Sequence, residues 1–392
     1  MATGFKLPQT GGYSVDLDDL LMRREYLSDG TLSLWGYNNI GQLGDSSIAD
    51  KNSPVTPSIN ANNWRSVACG GIGHTAAIKT DGTLWTWGSN EFGQLGDGTV
   101  GTSKSSPGTT AGNFTTWKSV GCGQSHTAAV KSDGTLWTWG RGTFGSLGDG
   151  TSVTKSSPVT TAGGGANWSS VVCGDLHTIA LKTDGSLWTW GRNFSGQLGN
   201  NATVDTSSPA TTTGGGTWRM IAAGASISAG IKTDGTLWTW GSNGYGQLGD
   251  NSTTIRSTPT PISGGGNNWR NISVGLYGSS AVKTDGTLWT WGNGTYGRLG
   301  DGSFGTSRSS PGTTVGGGTD WKQSAECGHA CAAIKTNGTL LTWGYNQFGQ
   351  LGDSSATTTS KNSPVTISGG GTSWKSVAAS DRHISAIADI SF

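Results

Sequence analysis

Residues Thr75–Gly88 read TAAIKTDGTLWTWG. Two short runs suited to strands flank Asp81-Gly82, and Asp-Gly is among the strongest hairpin signals because a type I′ turn needs positive φ at both central residues. In the second run Leu84 and Thr86 share one face while Trp85 and Trp87 share the other. Bulk on both faces describes a strand in a sheet packed on both sides. The same Asp-Gly recurs at Asp133, Asp184, Asp234 and Asp285, with Asn337-Gly338 in its place in one copy.

Working outward, the hairpin belongs to a repeat. Trp-Gly recurs with its glycine at Gly36, Gly88, Gly140, Gly191, Gly241, Gly292 and Gly344, at spacings of 52, 52, 51, 50, 51 and 52 residues. A second Gly follows each of these after five positions, Leu after seven (Leu43 to Leu351) and Gly again after eight. Every unit adds one Pro (Pro54 in the first) and one later Trp (Trp64 in the first). Around Trp117–Gly123 lies a third strand, and a fourth begins near each Ser-Pro, where Pro suits a strand start or a sheet edge. Four short strands per unit, seven times over, predict an all-β fold: a seven-bladed β-propeller of four-stranded blades. A linear solenoid would need atypical polar caps, which the end repeats lack.

The phase of the repeat predicts how the ring closes. Reading each blade as Ser-Pro strand, Trp strand, His-Thr-Ala strand and Trp-Gly strand leaves the last copy, Pro364–Ala388, one strand short. The strand at 31–36 is expected to pair beside His383–Ala388 and complete that blade, which removes open sheet edges. Two regions follow: a leader over 1–27 and a propeller over 28–392.

Composition narrows the function. Of 392 residues 68 are Gly, only 12% are charged, and 25 Lys+Arg against 24 Asp+Glu leave a net charge of +1. That balance argues against a nucleic-acid groove, which needs excess Lys and Arg. The 19 Trp argue against disorder. No apolar run of about 18 residues spans a membrane, and Met1–Leu27 shows no secretory signal.

The motifs WGxNxxGQLGD, at Trp87–Asp97 and Trp240–Asp250, and CGxxHTAAxK, at Cys122–Lys131, resemble the regulator-of-chromosome-condensation repeat over about residues 28–392. The resemblance implies a seven-bladed propeller and leaves function open. Three activities of that family can be sought residue by residue. Its nucleotide-exchange activity uses a wedge inserted from one blade, whereas unit lengths here vary by only two residues. Its chromatin binding uses a basic tail, whereas the leader sets Lys6, Arg23 and Arg24 against Asp16, Asp18, Asp19 and Glu25. Its ultraviolet-B photoreceptor has Trp two residues before the repeat His, where this chain has Ile72, Gln124, Asp175 and Asp381.

Few residues offer chemistry, and no catalytic residue, metal or cofactor is expected. His74, His126, His177 and His383 share one repeat position on consecutive blades. They should lie too far apart to share a metal at about 2.0–2.1 Å, so each is read as bonding backbone within its own blade. Cys69, Cys122 and Cys173 also share a position, and Cys327 and Cys331 stand four apart, a spacing that fits neither a disulfide nor a common zinc site. All five are read as buried free thiols. The GQLG loops lack the Lys of a phosphate cradle and are read as tight turns. Six of seven units place Lys or Arg before the Ser/Thr-Pro, answered by Asp after GQLG, a pattern of a solvated rim.

Rigid scaffolds present function on their longer loops. The rim carrying the Trp-Gly to Ser-Pro loops and the Cys-Gly-x-x-His turns is therefore the expected binding face, with Glu91, Phe194 and residues 99–103, 150–154 and 302–307 as exposed candidates. The leader, YSVDLDDLLMRREYL over Tyr13–Leu27, breaks composition, and its Asp16, Asp18, Asp19, Leu20, Leu21, Arg23 and Arg24 are candidate anchoring residues. It resembles short leaders on structural proteins of tailed bacteriophages. Three functions are expected in turn: a non-enzymatic interaction or structural module, as in a virion tail fibre or capsid surface meeting other virion proteins or a host receptor; a regulatory adaptor or exchange-type factor for a small GTPase; and a glycan-binding propeller.

Overall fold

The computed structural model describes residues 30–389 apart from Asn60 and Cys327. The leader candidates at 16–24 lie outside the described residues.

The Thr75–Gly88 reading holds at the level of register. Strands β1 (Gly30–Gly36) and β2 (Lys51–Val55) are followed by β3 (Trp64–Cys69), β4 (His74–Lys79), β5 (Leu84–Gly88) and β6 (Lys104–Thr109). β4 pairs antiparallel with β5, from His74 opposite Gly88 to Ile78 opposite Leu84, around the Asp81-Gly82 turn. The sheet order β3-β4-β5-β6 makes one blade, and six further four-stranded sheets complete seven.

The order of strands within a blade differs from the expectation. The Ser-Pro strand does not open a blade; it ends one, pairing back on the Trp-Gly strand before it, with Lys104 opposite Gly88. Pro107 cannot donate to a ladder, so its strand belongs at an edge. Either end of a blade satisfies that, and the loop folding back from Gly88 places the strand at the outer edge of the blade already begun. Closure therefore takes two strands from each end of the chain. β1 and β2 join Trp374–Ala379 and His383–Asp389 in the order β2, β1, His383–Asp389, Trp374–Ala379. Strand 31–36 does complete the last blade, with Trp35 opposite Ile384. The final Ser-Pro strand, Lys361–Thr366, stays with Leu340–Gly344. We number this closing sheet blade 1 and continue along the chain, so that β3–β6 form blade 2.

The core lies between blades. Trp64 and Trp87 of blade 2 pack on Leu32, Leu34 and Ile387 of blade 1, all at most 2% exposed. The two indoles meet edge to face at 6.2 Å, an arrangement worth about 0.5–1.5 kcal/mol beyond area burial. Each Trp-Gly indole also donates to a carbonyl of the preceding blade. Trp87 Nε1 donates to the Gln42 carbonyl at 2.9 Å, Trp139 to Gln94 and Trp190 to Ser146, and the closing pair is Trp35 to Gln350 at 3.0 Å. This contact explains the last glycine of GQLG. A Cβ on Gly96 would stand 2.5 Å from Trp139 Nε1, and its φ of +67° is left-handed.

The Trp strands line the axis. Their ends surround a cavity of about 190 Å³ that includes Cys69, Cys122, Cys173 and Glu326. Cys69, Cys122 and Cys173 are free thiols. Burial pushes Cys69 and Cys173 up to about 12, so both stay protonated at neutral pH.

Candidate docking site

The repeat first sets a rule at the blade boundaries. His126 Nε2 lies 2.9 Å from Thr178 Oγ1 of the next blade, and that hydroxyl donates to the Ser146 carbonyl at 3.0 Å. Since the hydroxyl spends its proton on the carbonyl, the histidine is the donor and carries its proton on Nε2. His74 meets Thr127, His177 meets Ser228 and His383 meets Thr75 in the same way, at 3.1, 3.0 and 3.2 Å. The histidines thus bond side chains across blades, not backbone within their own blade. Burial holds His74 and His177 down at about 3 and His126 and His383 at about 4, so all four are neutral at pH 7.

The rule breaks on one side of the ring. Blades 5, 6 and 7 have Ile227, Gly278 and Ala330 where the others have His. At Gly278 the missing side chain leaves room for Glu326 from blade 7: a Cβ on Gly278 would stand 2.8 Å from Glu326 Oε1. Glu326 replaces the Cys or small apolar residue of other blades and is 6% exposed. Burial pushes its carboxyl up to about 8, against the opposing effects of a Cys331 hydrogen bond and the Arg298 charge. Arg298 itself replaces the Gln of GQLG, is 3% exposed, and has no protein partner at Nε. Its guanidinium lies 4.7 Å from the Tyr277 ring and 5.3 Å from the Tyr296 ring.

Above this buried pair the turn rim carries a continuous row of rings. Tyr245 meets Tyr277 at 5.5 Å, Tyr277 meets His329 at 5.8 Å, His329 meets Tyr345 at 5.5 Å, and Tyr345 meets Tyr296 at 4.7 Å. His329 Nδ1 reaches Asp381 Oδ1 of blade 1 at 2.8 Å, and Arg382 beside it stacks over Tyr37 and Phe348. Asp175, on the facing side of the channel mouth, is pushed up to about 6 by burial and by the Asp381 charge. The opposite rim keeps to the repeat in blades 2 to 6: Lys79, Lys131, Lys182, Lys232 and Lys283 each stack over two Trp of their own blade.

The loops of the expected face lie together on this turn rim, and the candidate range 302–307 brings Phe304 beside Tyr296, but the other candidates stand apart. Glu91 and Phe194 are exposed in loops of blades 2 and 4, away from the ring row. Tyr277, Arg298, His329 and Tyr345 escaped the sequence reading. Their signal was available as departures from the repeat, and it surfaced only once the three-dimensional neighbours of each position were known. The charge pattern resolves into loop ion pairs such as Arg256–Asp250 at 2.7 Å and Arg308–Asp301 at 2.9 Å. Among the described residues no group of three or more His, Cys, Asp or Glu could hold a metal ion, and no helix is long and apolar enough to cross a membrane.

The sequence matches the RCC1-like domain over residues 31–387. The chain belongs to the RCC1-like domain family. Among relatives of this RCC1-like propeller, the ultraviolet-B receptor UVR8 of Arabidopsis thaliana is 35% identical over 177 residues, 45% of this chain and 40% of that protein. The E3 ubiquitin-protein ligase HERC2 of Homo sapiens is 30% identical over 185 residues, 46% of this chain and 4% of the ligase. The chain thus aligns with less than half the length of either. Human WBSCR16 superposes with a TM-score of 0.81 at 22% identity, covering 93% of this chain and all of that one. Prp20p from Saccharomyces cerevisiae, described with its binding to Gsp1p and histones, superposes with a TM-score of 0.83 at 19% identity, covering 94% and 95%. At these identities the two structures speak for the fold.

Proposed function

We propose that this RCC1-like propeller is a non-catalytic regulatory adaptor that docks a protein through the turn rim of blades 6, 7 and 1, with a small GTPase as the partner class. One observation carries the docking site: the row Tyr277–His329–Tyr345–Tyr296, braced from below by Arg298, where the repeat is broken. Tyr and Arg are over-represented among the residues that dominate binding energy, and rings fixed on blade ends lose little entropy on binding. The partner class is supported by the structural neighbour Prp20p, described as binding Gsp1p. The near-equal unit lengths leave no exchange wedge, so the adaptor binds without expelling nucleotide. A virion role resting on the leader gains no support from the relatives named above.

The test uses Gsp1p carrying a fluorescent nucleotide. Anisotropy should show saturable binding to the full chain, weakened about tenfold or more by Tyr277→Ala with His329→Ala. Nucleotide release should keep its intrinsic rate. Absence of binding in both the GDP and the GTP state would remove the GTPase, and binding indifferent to the double substitution would remove the site.

A further inference from the structure

On the outer side of the ring row, a groove of about 560 Å³ opens between the loop of blade 6 and that of blade 7, within the size range of small-ligand sites. Tyr296 and Phe304 supply its rings, and Thr295, Thr358, Thr359 and Ser360 supply hydroxyls. No charged side chain lines it. Phe304 is 59% exposed and Tyr296 48%, so both present ring surface to solvent.

The groove is built by departures from the repeat. Blade 6, like blade 3 with Gly142, has Gly294 where the other five blades have the loop-organising Asn38, Asn90, Asn193, Asn243 and Asn346, and the backbone of Thr306 packs where an Asn side chain would begin. The chain answers with a short 3-10 turn, Thr295–Gly297, that holds Tyr296 left-handed at φ 62°, ψ 17°. Blade 3 makes the same turn after Gly142, with Phe144 at φ 62°, ψ 11°, so the turn follows from the glycine, and what sets blade 6 apart is what surrounds its ring. Tyr345 at 4.7 Å and Arg298 beneath fix the ring in place. The facing wall is the longest of its kind, eight residues from Asp353 to Lys361 against six from Asp45 to Lys51, and the added residues are threonines.

We propose that this groove binds a neutral saccharide, a pyranose ring stacking its C–H face on Tyr296 and Phe304. Three features select that chemistry. An aromatic face takes an apolar ligand surface. Hydroxyls donate and accept alike, which matches a ligand made of hydroxyls better than a proline-rich peptide whose carbonyls only accept. The lack of charge leaves a phosphate, a carboxylate or an amine without a counter-ion, at the full cost of its desolvation. The groove shares Tyr296 with the ring row, but the adaptor reading is tested at Tyr277 and His329, so failure of either reading leaves the other standing.

Saturation-transfer NMR on the full chain, with maltohexaose, cellohexaose and chitohexaose as probes, tests it for free sugars. Ribonuclease B against unglycosylated ribonuclease A tests it for a protein-borne glycan. At least one of these arms should show saturable binding, weakened about tenfold or more by Tyr296→Ala with Phe304→Ala and unchanged by Phe194→Ala two blades away. Thr358→Ala with Thr359→Ala, both exposed and harmless to the fold, should weaken it as well. Binding in neither arm would overturn the proposal, as would sugar binding that survives both double substitutions or decaproline binding in place of sugar.

Discussion

A single threonine hydroxyl shows how the blades are tied. Thr178 accepts from His126 and donates to the Ser146 carbonyl, which also takes the Trp190 indole. Thr178→Val keeps the shape and strands the buried imidazole N–H, so urea unfolding should show a loss of about 1–3 kcal/mol. The titrating groups act in opposite directions. The four repeat histidines have depressed values in the fold, so the unfolded chain binds protons first; the stability they contribute is present above about pH 6.5 and lost as pH falls toward about 3. Glu326 is raised to about 8, so its contribution is present below about pH 4.5 and lost as pH rises through 8. Glu326→Gln cannot ionise. Its melting temperature should gain on the parent chain as pH goes from 5 to 9; parallel curves would show that the carboxyl is not held neutral. None of this was legible in the sequence, because a histidine at a repeat position looks the same whether it bonds its own blade or the next one.

At the scale of the element, the hairpin and the strand count were legible, since Asp81-Gly82 and the alternation in TLWTWG are local signals. The order of strands in a blade was not. Two neighbours compete for each Ser-Pro strand, and only the fold-back of Lys104 onto Gly88 decides between them. Glycines sort in the same way. Gly148 has φ +68° and meets Trp190 of the next blade, whereas Gly163 has φ +79° with open space around it. Both alanine variants suffer backbone strain, but Gly148→Ala also meets an indole that cannot move. Thermal denaturation should place its loss at about 3 kcal/mol and that of Gly163→Ala at about 1; equal losses would mean that φ alone requires these glycines.

For the whole molecule, symmetry builds the ring and its breach marks the site. The chain crosses all seven blade boundaries, and its two ends meet inside one blade, where 30–36 pairs with 383–389. Trp35 from the N-terminal part of that blade donates to Gln350 of blade 7 and His383 from the C-terminal part meets Thr75 of blade 2, so the composite blade is tied to both neighbours by the bonds of every other Trp-Gly or His boundary. The breach falls at blades 5 to 7, where His gives way to Ile227, Gly278 and Ala330 and the rim fills with rings. The fold was readable from periodicity alone, whereas the site lies in the residues that periodicity averages away. Ring closure is what makes that rim one rigid face, and hydrogen exchange on the full chain measures it directly. Amides of 30–36 and 383–389 should exchange as slowly as those of Trp168–Cys173 inside the ring. Exchange of the two end strands within seconds, with the interior still protected, would contradict the closed ring.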